Sequence, residues 1–293
     1  MIDTFGLQTL RPTRSARRAL FSSLLVRALL LGVFALAAVL GPIIVPYDHI
    51  TVRTADRLKP PGSVLVDGSV AWLGTDQVGR DLLPQVLQGA RISLLVALAT
   101  VFLAGLIGLV CGLVAGFYGG VPDTVLMRLA DIQLGFPSIL LAILFAAVLG
   151  PSVGNVVLSL TLARWVTFAR VVRATTLTVK EREFVLAARA LGASDPHILA
   201  RHVIPAALGP LLVIAAAEVG LVILAEASLS FLGLGTPPDQ PSWGLIIANG
   251  RAYLNTAWWI STIPGLVLSL LVIGVGAFGD RVRDYFDPRL TPR

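Results

Sequence analysis

Apolar residues in this chain come in long runs that start and stop sharply. No charged residue interrupts Ile92 to Pro122, and none interrupts Ile132 to Ala163. A helix crossing the hydrocarbon core of a bilayer needs about 20 mainly apolar residues, each adding about 1.5 Å. On that measure the pattern predicts six spans. The first covers Leu24 to Val45 and is closed by Pro46; the second covers Ile92 to Phe117. The run from Ile132 is too long for one helix. Gly150-Pro151 divides it into a third and a fourth span, because Gly commonly ends a helix and Pro cannot continue one. The fourth span extends to Arg170, the fifth covers Pro205 to Leu232 and the sixth Ala257 to Phe278. The expected fold is all-α and polytopic, with six transmembrane helices. Ahead of the first span lie Arg11, Arg14, Arg17 and Arg18, and within it Ala35-Leu36-Ala37, a combination that also describes a signal peptide. The apolar run continues past that triplet to Val45, so a retained span is expected.

Composition agrees with the pattern. Of 293 residues, 56% are hydrophobic and 14% charged, against roughly 25% charged in a soluble domain. That excludes a disordered chain and argues against a water-soluble one. The single Cys111 excludes an internal disulfide or an all-Cys metal site, and three histidines without an HExxH motif give no zinc hydrolase. No metal site is expected, and no nucleophile–base set suggests catalysis. A phosphate loop needs Gly before its Lys and Ser or Thr after it. Lys59 follows Leu58 and Lys180 follows Val179, so any ATP and Mg must be bound by a separate chain.

The net charge of +6 could suggest nucleic acid, but in so apolar a chain the arginines mark membrane orientation instead. Arg-rich segments fall before span one, between spans four and five, and after span six. The loop from Val45 to Arg91 balances its charges, and that from Gly233 to Tyr253 carries one Arg and one Asp. Both termini are therefore expected in the cytoplasm of a bacterial inner membrane. The layout is a tail of residues 1–23, span one at 24–45, an extracytoplasmic loop at 46–91, a five-helix core at 92–278 holding a cytoplasmic loop at 171–205, and a tail at 279–293.

That cytoplasmic loop is longer than most connections, and such loops are usually structured or functional. Its interior reads as a helix from Glu181 to Leu191, ended by Gly192, with Asp195-Pro196 opening a second helical turn. Ala187, Ala188 and Gly192 offer small side chains to an approaching surface. The segment from Glu183 to Gly192, with Pro205 downstream, resembles the EAA loop of ABC importer permeases. Ala187, Ala188, Gly192 and Pro205 fall at the family's spacing, while Leu186 stands where the family usually has Glu, His202 where it often has Ile, and Ile204 where it has Leu.

Further segments resemble the second, C-type subunit of the dipeptide/oligopeptide permeases: Trp72 to Asp81, Gly89 to Ser93, Tyr118-Gly119-Gly120, Ala225 to Gly235, and Asp287 to Leu290. The resemblance implies a type I ABC importer permease, a non-catalytic subunit of a binding-protein-dependent importer of di- or oligopeptides. It implies a homologous second permease, two ATP-binding subunits and an extracytoplasmic binding protein as partners, besides the lipid bilayer and with no nucleic acid. Glu183, Ala187, Ala188, Gly192, Asp195 and Pro205 would couple to the ATPase. Nickel, glutathione or another peptide-like solute are alternative cargoes, and a proton-coupled secondary transporter is the rival mechanism.

Ala104, Gly108, Gly112 and Gly116 recur every four residues and put a small-residue face on span two, expected to serve close helix packing. Glu218 and Glu226 lie within span five, where an ionisable group is costly and therefore a candidate for the translocation path. Eight residues apart, they face directions about 80° apart and need not share a site. Arg164 and Arg170 are expected to extend toward cytoplasmic headgroups, and Cys111 to be inert.

Overall fold

The computed structural model describes residues 29, 31–48 and 50–286. The N-terminal tail, the start of span one, and the C-terminal tail from Asp287 onward, with its Asp287 to Leu290 segment, lie outside the described residues. The remainder of span one is a short apolar helix, α1 (Leu31–Ile44). Six longer helices then follow in chain order, interspersed with three short ones: α2 (Leu82–Tyr118), α3 (Gly120–Leu134), α4 (Ser138–Leu149), α5 (Val153–Lys180), α6 (Glu183–Ala190), α7 (Asp195–Ile198), α8 (Ile204–Phe231), α9 (Trp243–Gly250) and α10 (Trp259–Phe286). Among the described residues, four helical runs are long and apolar enough to cross a membrane: Leu82–Tyr118, Val153–Lys180, Asp195–Phe231 and Trp259–Arg281. The pair α3 and α4, bent by 92°, makes a fifth if it is one span.

Three expected boundaries are corrected. Helix α2 starts at Leu82, not Ile92, because Asp81 caps it by accepting from the Leu83 N–H at 3.0 Å. The ten residues before Ile92 are thus helix rather than loop. The third span is not straight: Gly135, Phe136 and Pro137 separate α3 from α4, and Pro137 cannot supply the N–H that a continuous helix needs. Gln133 holds the break against α5, donating to the Leu162 carbonyl and accepting from the Trp165 indole, both at 2.9 Å. Finally, α5 continues to Lys180, so the connection toward α8 begins ten residues later than expected, and Glu181 ends α5 instead of opening the loop helix.

Packing joins α2 to α5 and α8 to α10, and these pairs meet in one apolar core. The α2–α5 seam is very close. A Cβ added to Gly108 would lie 2.4 Å from the Phe168 Cβ, one on Gly112 2.6 Å from the Ala169 carbonyl oxygen, and one on Gly116 2.7 Å from the Thr176 Cβ. Ala104 completes the stripe and is fully buried. Lipid tails are as apolar as leucine, so such helices gain little from burial and associate through close backbone approach.

The 46–81 segment forms a small cap at the N-terminal end of α2. Its hairpin pairs β1 (Ser63–Val64) with β2 (Val70–Ala71) antiparallel, Ser63 opposite Ala71. Asp76 organises the turn that follows, accepting from the Val78 and Arg80 N–H groups at 2.9 Å each and from Gln85 Nε2 at 3.1 Å. Gly79, at φ +85°, passes so close to Arg53 that a Cβ would sit 1.9 Å from its carbonyl oxygen. The Trp259 indole donates to the Thr75 carbonyl at 3.1 Å and the Trp243 indole to the Val86 carbonyl at 2.9 Å. Those two bonds tie the cap and α2 to α9 and α10.

Candidate functional site

At the opposite end of α2, a second and smaller apolar cluster carries α6. Val185 is fully buried there with Phe117, from the last turn of α2, and with Ile198 and Val203. One residue of α6 thus faces inward. Its neighbours Glu183, Phe184, Leu186, Ala187 and Ala190 are exposed, and Leu191 just beyond it is 89% exposed. Polar contacts support the placement. Arg189 lies over the Phe117 ring, 5.8 Å from its centre, and faces Asp195 at 3.7 Å. The Phe184 and His202 rings are 5.6 Å apart.

Gly192 ends α6 in a Schellman turn: the Ala193 N–H bonds the Ala188 carbonyl and the Gly192 N–H bonds the Arg189 carbonyl, each at 3.0 Å. Such a turn requires a left-handed residue after the helix, and Gly192 has φ +86° with open space where a Cβ would stand. The glycine therefore answers the backbone, leaving the surface beside it free. Asp195 and Pro196 open α7, and the chain widens to a π turn over Leu199–Val203 before Pro205, which has no N–H to give. Pro205 is exposed.

Helix α6 sits against α2 and follows directly on α5, and these two helices are bonded to each other. Lys180, at the end of α5, donates to the Gly116 carbonyl of α2 at 2.9 Å. Arg173 of α5 grips Asp123 of α3 with two nitrogens, Nη2 to Oδ2 at 2.7 Å, and Arg170 pairs with Asp131.

The two acids of α8 occupy separate places. Glu226 is fully buried, and both of its oxygens are engaged: Oε1 accepts from Ser230 at 2.7 Å and Oε2 from Ser93 of α2 at 2.9 Å. Glu218, also buried, meets Arg164 of α5 at 3.3 Å. Arg164 is therefore turned inward to an acid, and the headgroup expectation for it is corrected. Arg170 is half exposed and pairs with Asp131. Ser93, Ser230 and Arg164 were not singled out as partners from the sequence. Ser230 had a local signal, four residues after Glu226, whereas Ser93 and Arg164 are joined to their acids only by the fold. Cys111 is a free thiol, half-buried on α2. Among the described residues no three of His, Cys, Asp and Glu converge on a metal-sized space.

These features are those of a transport permease, and comparison with known proteins agrees. Residues 108–292 match the family described as the binding-protein-dependent transport system inner membrane component. This chain belongs to that family. A putative peptide transport system permease protein of Brucella abortus is 42% identical over 277 residues, covering 94% of this chain and 91% of that one. A probable D,D-dipeptide transport system permease protein of Escherichia coli is 37% identical over 262 residues, covering 89% and 86%. Among solved structures, one of inward-facing conformations of the MetNI methionine ABC transporter shares the fold, with TM-score 0.57 at 20% identity over 70% of this chain and 98% of that one. The chain is thus a multi-pass inner-membrane permease component.

Proposed function

We propose that this chain is one of two homologous transmembrane subunits of an ATP-driven importer of di- or oligopeptides. An extracytoplasmic binding protein delivers the peptide, and two ATPase subunits, which hold ATP and Mg, bind at the α6 end. Both termini and α6 face the cytoplasm and the 46–81 cap faces outward, with α1 as the first of six spans. The relatives named for peptide and dipeptide transport support the cargo, and the Arg-rich segments support the orientation.

The observation that carries the coupling role is the mounting of α6. A helix pinned by one buried valine, showing Phe184, Leu186 and Leu191 to water, is shaped to be covered by another protein. Glu183, Ala187, Ala188, Asp195 and Pro205 surround that surface. ATP-driven closure of the ATPase pair would move α6, and through it the α2–α5 pair, as a rigid body. Replacing Gly192 by Leu forces a branched residue into left-handed geometry and fills the free surface. In the complete importer reconstituted in liposomes, Gly192→Leu is expected to insert and pair normally but to lose peptide uptake and binding-protein stimulation of ATPase activity. Wild-type transport by this variant would remove the coupling role of α6.

A further inference from the structure

Three ionic groups sit within the helical bundle or at its edge, and they differ in how completely they are satisfied. Both Glu226 oxygens accept serine hydroxyls. Arg173 holds Asp123 with two nitrogens. The Arg164–Glu218 pair is different. Among the described residues, Arg164 makes one contact, Nη1 to Glu218 Oε2 at 3.3 Å, and its side chain keeps 17% of its surface open. A guanidinium has five N–H donors in a planar fork, so most of this one's capacity is unspent.

Its position is as unusual as its contacts. Arg164 lies near the middle of α5 and Glu218 near the middle of α8, each about 20 Å from its helix's cytoplasmic end at 1.5 Å per residue. A buried ion pair gives little net stability over a well-packed apolar pair, and ionisable side chains at membrane depth mark transport paths more often than scaffolding. A groove of about 720 Å³ lies among α5, α8 and α10. Ala217 and Leu221, the sequence neighbours of Glu218 on α8, line it with Ile214 and Val171, while Arg164 and Glu218 themselves do not. Its lining is mainly apolar and includes one charge of each sign, Asp280 and Arg283.

We propose that Arg164 is a specificity residue of transport that takes the terminal carboxylate of a passing peptide. Glu218 is its counter-ion at rest and receives the peptide's ammonium once the carboxylate has displaced it. A zwitterion suits this site because it exchanges with an ion pair charge for charge, leaving neither Arg164 nor Glu218 unpaired in the bundle. The planar fork favours a carboxylate over a neutral carbonyl. This inference rests on the peptide-importer reading above.

The test uses the complete importer in liposomes, with its binding protein, and reads peptides imported per ATP hydrolysed. The double variant Arg164→Gln with Glu218→Gln keeps shape and hydrogen bonding but removes both charges. It is expected to retain binding-protein-stimulated ATPase within about twofold while peptides per ATP fall at least tenfold. The charge swap Arg164→Glu with Glu218→Arg restores the ion pair on exchanged helices. A purely structural pair predicts rescue by the swap, whereas recognition predicts that peptides per ATP stay low. Should either variant fail to assemble, Arg164→Lys keeps the charge and the partner but not the fork, and is expected to lower the ratio several-fold. An unchanged ratio in the double or the lysine variant, or its restoration by the swap, overturns the proposal. Failure of the wild-type importer to accumulate any dipeptide would instead overturn the cargo reading.

Discussion

Two glycines of this chain are required for opposite reasons. Gly192 must adopt a left-handed φ and has empty space around it; Gly108 has ordinary helical geometry and no space at all. Asparagine separates the two demands, since it tolerates the left-handed region but brings a side chain. Gly192→Asn is expected to leave the yield of assembled importer near wild type. Gly108→Asn must push α5 away from α2, a strain on the order of 1–3 kcal/mol even for small overpacking. Gel filtration of the purified assembly should show a lower yield and a lower unfolding temperature for the Gly108 variant alone. Equal yields would mean that the α2–α5 seam is not the tight contact described. Sequence spacing was enough to find the small-residue stripe, because period four on a helix is a local pattern. It could not find the Arg164–Glu218 or Glu226–Ser93 pairs, whose members lie 54 and 133 residues apart.

Among the elements, apolar runs located the four helical runs long enough to span but missed what polar residues do at their ends. The first three turns of α2 contain Gln85, Gln88 and Arg91 and read as loop; Asp81 as a cap makes them helix. Helix α3 contains Asp123, Arg128 and Asp131, so hydropathy alone passed over all of it before Ile132. For α6 the burial of Val185 decides between anchor and docking surface. Val185→Ala leaves a void in the Phe117 cluster and should cost about 1–3 kcal/mol. Leu191→Ala, at an exposed position, should change stability by no more than about 0.5 kcal/mol yet weaken ATPase binding. Thermal unfolding alongside ATPase pull-down distinguishes them, and the reverse assignment would contradict the mounting of α6.

The cap is an element with its own pH response. Hydrogen bonds from Ser69, then the Arg53 guanidinium, pull the Asp67 carboxyl down to about 2 from its usual 3.8, and the Lys59 ammonium lowers Asp56. Both groups have folded values below their unfolded ones. Their contribution is therefore complete above about pH 4 and is lost as pH falls through the folded values. Protection of the Ser69 and Val66 amides, which bond Asp67 and Asp56, should hold at pH 5 and drop between pH 4 and 2. Protection that instead fell between pH 7 and 5 would place the controlling groups elsewhere.

For the whole molecule, Lys/Arg asymmetry predicts an orientation that the helices alone do not. Trp243, though in a connecting segment, is fully buried against α2, so exposed Ser69 and Asp239 are the better probes of the outer face. With Cys111 removed, cysteines at 69 and 239 should react with an impermeant reagent from outside, and one at 190 only after permeabilisation. Outside labelling at 190 would invert the topology. The central claim is that an ATPase on other chains drives this permease, since neither Lys59 nor Lys180 lies in a phosphate loop. Dipeptide accumulation in liposomes tests it most directly, comparing the complete importer supplied with ATP and binding protein against this chain alone under an inward proton gradient. Accumulation is expected only in the first case, and uptake by the chain alone on the proton gradient would contradict the account.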